Sequence, residues 1–161
     1  MFSNIVNVDH DISILGMLRL DDTDNILISR LEAIWKYHDM LLSRLTKIDR
    51  RDVKIHLRSQ LLNADIERYL PYLEDGTQMM LWQGDPLIHA RNLKNLTVVR
   101  MALARNSRPE GFLVIRTPSS SRLLAAWQDA NNQVVGVLVT NPLTVEKVAD
   151  QLDAIIQAAA H

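Results

Sequence analysis

The 161-residue chain contains no cysteine. That excludes disulfides, thiolate zinc sites and cysteine nucleophiles, and it agrees with a reducing compartment. No apolar run approaches the roughly 20 residues needed to span a bilayer. Met1 to Leu20 lacks the basic-then-apolar order of a secretory signal and carries Asp9, His10 and Asp11 instead. These absences predict a soluble cytoplasmic protein with no membrane partner. Apolar residues at 47% and charged residues at 23% are ordinary globular usage, which excludes global disorder.

Linear signatures of catalysis are missing too. There is no GxSxG elbow, no GxxxxGK[ST] phosphate loop and no HExxH pair. The acids of "DDTDN" (Asp21 to Asn25) resemble the start of a calcium loop, but the glycine and closing glutamate that such a loop needs are absent. "VEK" at Val145 to Lys147 opens a helix, where a restriction-type nuclease would want a strand-borne carboxylate. The carboxylate clusters Asp21/Asp22/Asp24, Glu74/Asp75 and Asp150/Asp153 read as cap, turn and polar helix face. No i, i+4 histidine pair occurs; His10 between Asp9 and Asp11 lacks further ligands. No catalytic set, metal or cofactor is therefore predicted.

Glycine and proline are sparse, at five each, and nearly all mark element boundaries. Neither occurs between Met17 and Leu70, and there lies the strongest pattern in the chain. Leu27, Leu31, Ile34, His38, Leu41, Leu45, Ile48, Asp52, Ile55, Ser59, Leu62, Ile66, Tyr69 and Leu73 alternate spacings of four and three. Ile28, Trp35 and Leu42 widen the stripe at its start, as bundle packing does. The reading is two helices, Asp24–Ile48 and Asp52–Leu70, or one long helix through both. His38 in this seam is either a buried histidine with a hydrogen-bond partner or a pH-sensitive packing site.

The second half changes texture. "TQMMLWQG" (77–84) reads as a strand, and "DPLIHARNLKNLTVVRMALARN" (85–106) as a helix with Asp85 and Pro86 at its start. "GFLVIRT", "SRLLAAWQD" and "VVGVLVTN" read as strands, with "ANNQ" a turn, and "PLTVEKVADQLDAIIQAA" as a closing helix. The expected fold is α+β: an N-terminal helical pair followed by a small, mainly antiparallel sheet packed with two helices. Residues 1–75 and 76–161 are its two parts, expected to fold as one unit; residues 1–20 stay open between strand and helix.

Net charge is −1 but unevenly spread. Residues 44–116 carry thirteen basic and eight acidic side chains, whereas the flanking stretches are net acidic. Arg44, Lys47, Arg51, Lys54 and Arg58 repeat at three and four. On one helix they would form a stripe about 20 Å long, able to follow a phosphate backbone. Arg91, Lys94, Arg100, Arg105 and Arg108 add a second basic segment. No zinc finger, helix-turn-helix glycine turn or RNP aromatic pattern accompanies them. "RTPSSSRL" (116–123) reads as a turn between strands, with Arg116 and Arg122 flanking its serines; the alternative is a weak anion site, which no further motif supports. Trp35, Trp82 and Trp127 fit core positions or interface anchors.

The tail "RLLAAWQDANNQVVGVLVTNPLTVEKVADQLDAIIQ" resembles, in topology and texture, the closing strand–strand–helix of small roadblock, profilin-like and secretion-chaperone modules. The resemblance covers about a third of the chain and implies protein binding, often with dimerisation. The first expectation is thus a non-enzymatic interaction module (adaptor, chaperone or regulatory subunit) that forms a homodimer or joins an obligate partner. Its interface would be the seam at Leu27, Leu31, Ile34, Leu41, Leu45 and Ile48. The alternatives are a nucleic-acid-binding regulator using Arg44, Lys47, Arg51, Lys54 and Arg58, and a small enzyme with no linear motif.

Overall fold

The computed structural model describes residues 4–18, 25–83, 94–102 and 108–160. In chain order its strands are β1 (Asn4–Val8), β2 (Asn25–Ile28), β3 (Lys54–Arg58), β4 (Gln78–Gln83), β5 (Leu96–Met101), β6 (Glu110–Arg116), β7 (Arg122–Gln128) and β8 (Val134–Val139). Its helices are α1 (Leu31–Leu45), the single turn α2 (Leu70–Glu74) and the C-terminal α3 (Pro142–Ala159). All eight strands join one mixed sheet in the order β1-β5-β4-β3-β6-β7-β8-β2. β1, β5, β4 and β3 pair in parallel; β6, β7, β8 and β2 follow in antiparallel pairings.

This architecture corrects the expected one. There is no N-terminal helical pair and the sheet is not small. The predicted Asp24–Ile48 helix is β2 followed by α1. The predicted Asp52–Leu70 helix is β3, a turn and a 3-10 segment at Ile66–Tyr69. Within the predicted 85–106 helix, Leu96–Met101 is a strand; residues 84–93 and 103–107 lie outside the described ones. The opening residues supply β1.

The errors share a cause. Helices cover both faces of the sheet, so strands lose the alternation that identifies a half-exposed strand. One face packs Ile34, Leu41, Leu42 and Leu45 of α1 with Ile55, Leu57, Leu113, Ile115, Leu124 and Leu138. The other packs Val145, Val148, Ala149 and Leu152 of α3 with Phe112, Val114, Leu123, Ala125, Val137 and Val139. Successive residues of β6 thus go to opposite cores, and both kinds must be apolar. In β3, Ile55 and Leu57 face α1 whereas His56 and Arg58 face α3, all four buried. Read at helical spacing, Ile55 and Leu62 continued the seam only by coincidence.

The closing half follows local chemistry. Asn141 caps α3, its Oδ1 accepting from the Leu143 amide at 3.0 Å, with Pro142 in the first turn. Between β7 and β8, Asp129 accepts from the amides of Asn131 and Gln133, and Asn132 turns the chain at φ 59°. Among the described residues no helix is long and apolar enough to cross a membrane.

Candidate anion-binding cleft

The sheet's layering disperses both sets of sequence-derived site residues. Ile34, Leu41 and Leu45 are 0–2% exposed against the chain's own sheet. Each such aliphatic contributes roughly 1.5–3 kcal/mol by burial. These three side chains are core and are not free to meet a partner. Leu31 and Ile48 are half-buried. Leu27 lies on the edge strand β2, 67% exposed, outside any helix.

The five-residue basic row is likewise not one helical stripe. Arg44 ends α1, Lys47 follows it, Arg51 sits in a 3-10 turn, and Lys54 and Arg58 bracket β3. Arg51 pairs with Asp49 at 3.0 Å. Arg58 is buried: its Nη1 donates to Asp11 Oδ1 at 3.1 Å and to the Ile12 carbonyl at 3.2 Å. Lys54 stands on the α3 side, close enough to Asp153 to help lower its carboxyl pKa.

Arg44 and Lys47 remain, and the fold gives them a third cation. The end of α1 passes beside the β6–β7 hairpin, leaving a cleft of about 690 Å³. Arg44, in the last turn of α1, and Lys47, just after it, face it from one side. Arg122, Thr117, Ser119 and Ser120 face it from the hairpin. Leu41, Leu45 and Ile115 floor it, and Met40 and Ile48 form its apolar wall. None of its twelve lining residues is acidic or aromatic. None of the ion pairs among the described residues involves Arg44, Lys47 or Arg122. The volume lies within the roughly 300–1,000 Å³ of small-molecule sites. Some of this charge answers the negative end of α1. The last carbonyls there have other donors: Arg50 Nη1 bonds the Leu45 carbonyl and Thr46 Oγ1 the Ser43 carbonyl.

"RTPSSSRL" is indeed a turn: the Thr117 hydroxyl accepts from the Ser120 amide at 2.9 Å and also bonds its carbonyl. It has a second consequence. Strand parity sends its two arginines to opposite layers. Arg122 turns to the cleft with the β7 side chains that face α1. Arg116 turns under α3, donating to Asp153 at 2.9 Å and to Glu146 at 2.6 Å. Sequence reasoning paired Arg122 with Arg116 as a weak anion site around the serines; the structure separates those two and sets Arg122 beside Arg44, through a long-range contact that no local spacing encodes.

Under α3 lies a buried polar chain. His56 Nε2 is 2.8 Å from Asp153 Oδ1, and Trp82 Nε1 donates to His56 Nδ1 at 3.1 Å. An indole nitrogen only donates, so His56 Nδ1 accepts and its proton sits on Nε2, facing Asp153. Burial acts to raise the Asp153 carboxyl pKa, but His56, Arg116 and Lys54 outweigh it and hold it below the ordinary value. Ser121 donates to Glu146 at 2.8 Å. Both imidazole nitrogens are occupied, and the buried Ser121 hydroxyl is held by Glu146, so this chain fastens α3 to the sheet.

His38 is fully buried on the other face. Arg68 Nη1 donates to its Nδ1 at 3.3 Å, which places its proton on Nε2, 2.6 Å from Tyr69 Oη. Burial first, and the Arg68 guanidinium second, lower its pKa to about 4 from 6.5. Between those values the unfolded chain binds a proton that the native one refuses, so stability falls with falling pH. The loss should approach 1.4 kcal/mol per pH unit, total about 3 kcal/mol near pH 4 and then level off. Urea unfolding at several pH values should show this slope reduced in His38→Leu. An identical slope in the variant would remove His38 as its source.

Among the described residues no cluster of three or more histidine, aspartate or glutamate side chains could hold a metal ion. No protein-family model and no curated protein matches the chain. Among solved structures it is similar to TrmBL2, an archaeal chromatin protein whose structure shows a novel mode of DNA binding. The TM-score is 0.55 at 8% sequence identity, over 91% of this chain and 57% of that one. This chain therefore spans a little over half of that protein, and at such identity the likeness is one of fold alone.

Proposed function

We propose that this chain is a nucleic-acid-binding regulatory module whose phosphate contacts are Arg44, Lys47 and Arg122. The observation that carries the reading is the gathering of three cations around one cleft with no acidic residue among its lining. The fold likeness to a DNA-binding chromatin protein supports it further. The adaptor reading is set second, because its proposed seam is largely spent as core: Ile34, Leu41 and Leu45 are covered by the chain's own sheet.

Phosphate contacts release counterions, so each adds about 0.9 to the slope of log affinity against log salt on duplex DNA. Fluorescence anisotropy with a labelled duplex should show steeply salt-dependent binding. The triple variant Arg44→Ala, Lys47→Ala, Arg122→Ala should flatten the slope by about 2.7 and weaken low-salt binding more than about tenfold. The three side chains are exposed or half-exposed, so the variant should keep its circular dichroism. A folded triple variant with the wild-type slope would refute the reading.

A further inference from the structure

The three cations explain only the mouth of the cleft. Below them is an aliphatic surface, with Met40 40% exposed on the wall and Ile48 half-exposed beside it. The convex backbone of a duplex can touch the rim but cannot fill that space. The lining contains no aromatic ring on which a base could stack and no carboxylate to accept from ribose hydroxyls or an ammonium group. An aliphatic body would bury against Met40 and Ile48 while its head met Arg44, Lys47 and Arg122. A phosphate monoester carries between one and two negative charges at neutral pH and presents several strong acceptor oxygens, so it suits three cations and the Ser119 and Ser120 hydroxyls better than a carboxylate does.

We propose that this cleft is a binding site for a small organic phosphate with an aliphatic body. Occupancy would engage the same three cations as a nucleic-acid backbone, so the ligand would act as an effector that displaces the polymer. That regulatory part rests on the nucleic-acid reading; the site itself does not.

Titration calorimetry on the full chain, without nucleic acid, tests the site with hexyl phosphate, inorganic phosphate and hexanol. Each methylene buried contributes roughly fourfold in affinity, so hexyl phosphate should bind more than about tenfold tighter than inorganic phosphate. Hexanol, which lacks the anionic head, should bind far more weakly than hexyl phosphate. Arg122→Ala should weaken hexyl phosphate, and Met40→Asp should weaken it more than it weakens inorganic phosphate. Met40 is exposed and Arg122 half-exposed, so both variants can be compared as folded proteins. Equal affinities for hexyl and inorganic phosphate would overturn the aliphatic half of the site. Equal affinities for hexyl phosphate and hexanol would overturn the anionic half. Repeating the duplex anisotropy with hexyl phosphate present separates the two readings. Hexyl phosphate binding by a chain that ignores DNA would leave the site standing and remove the polymer. DNA binding by a chain that ignores hexyl phosphate would do the reverse.

Discussion

Arg58→Ala should destabilise the fold by about 3–5 kcal/mol, the range for breaking a buried ion pair from one side. Arg58 is 4% exposed within the α3-side layer, and its guanidinium holds both the Asp11 carboxylate and the Ile12 carbonyl. Removing it strands a carboxylate that is itself only 13% exposed. It also opens a space beneath the segment that carries Ile12 and Ile14, both buried in the same core. The paired variant Arg58→Met, Asp11→Ala should recover much of the loss, since an apolar replacement of both partners leaves no charge unpaired. Urea denaturation of the three proteins measures both effects. A loss below about 1 kcal/mol in Arg58→Ala would mean that water reaches the pair and that it behaves as a surface ion pair. Arg58 was also part of the basic row read from sequence. Its burial predicts that a folded Arg58→Met, Asp11→Ala protein retains the phosphate affinity of the cleft.

Gly111→Ala should cost more than about 3 kcal/mol, enough to leave little folded protein. A Cβ at this β6 position would lie 1.6 Å from the Gln60 carbonyl oxygen and 3.2 Å from that of Arg58. Those oxygens belong to backbone, so no rotamer change relieves the overlap. The chain leaving β3 turns across the sheet at this point, with Leu61 and Asn63 at φ 66° and 53°. Trp35 pins the crossing by donating from Nε1 to the Leu61 carbonyl at 3.2 Å. Making room for a methyl group means lifting this turn and losing that bond. Gly16→Ala is the control: nothing lies within 4 Å of its Cβ, so its effect should stay within about 0.5 kcal/mol. Thermal melts of the two alanine variants check the contrast. Similar midpoints would show that the β3 exit moves aside cheaply.

Both sites show what kind of feature escapes a reading along the chain. Gly111 looks like the start of a strand, and the reason it must be glycine is Gln60, far away in sequence. Arg58 looks like a member of a basic stripe, and the reason it is not one is Asp11. The stripe itself rested on helical spacing through a segment that is a strand. There the tertiary structure overrode the pattern, because a sheet covered on both faces wants apolar side chains of both parities.

By itself the sequence determined the local elements whose causes are local. These include α3 with its opening at Pro142, the "ANNQ" turn, and the strands on either side of it. It also singled out His38 among apolar positions, as a partnered buried histidine or a pH-sensitive packing site; its partners Tyr69 and Arg68 came from the fold. Only the tertiary structure decided that α1 lies on a sheet rather than on another helix, that β3 and β5 are strands, and that Arg122 joins Arg44 and Lys47. The physical reason is the same in each case. Helix caps and turn residues act through neighbours a few positions away, whereas burial on two faces, strand order and the convergence of charge come from segments that meet only once the chain has folded.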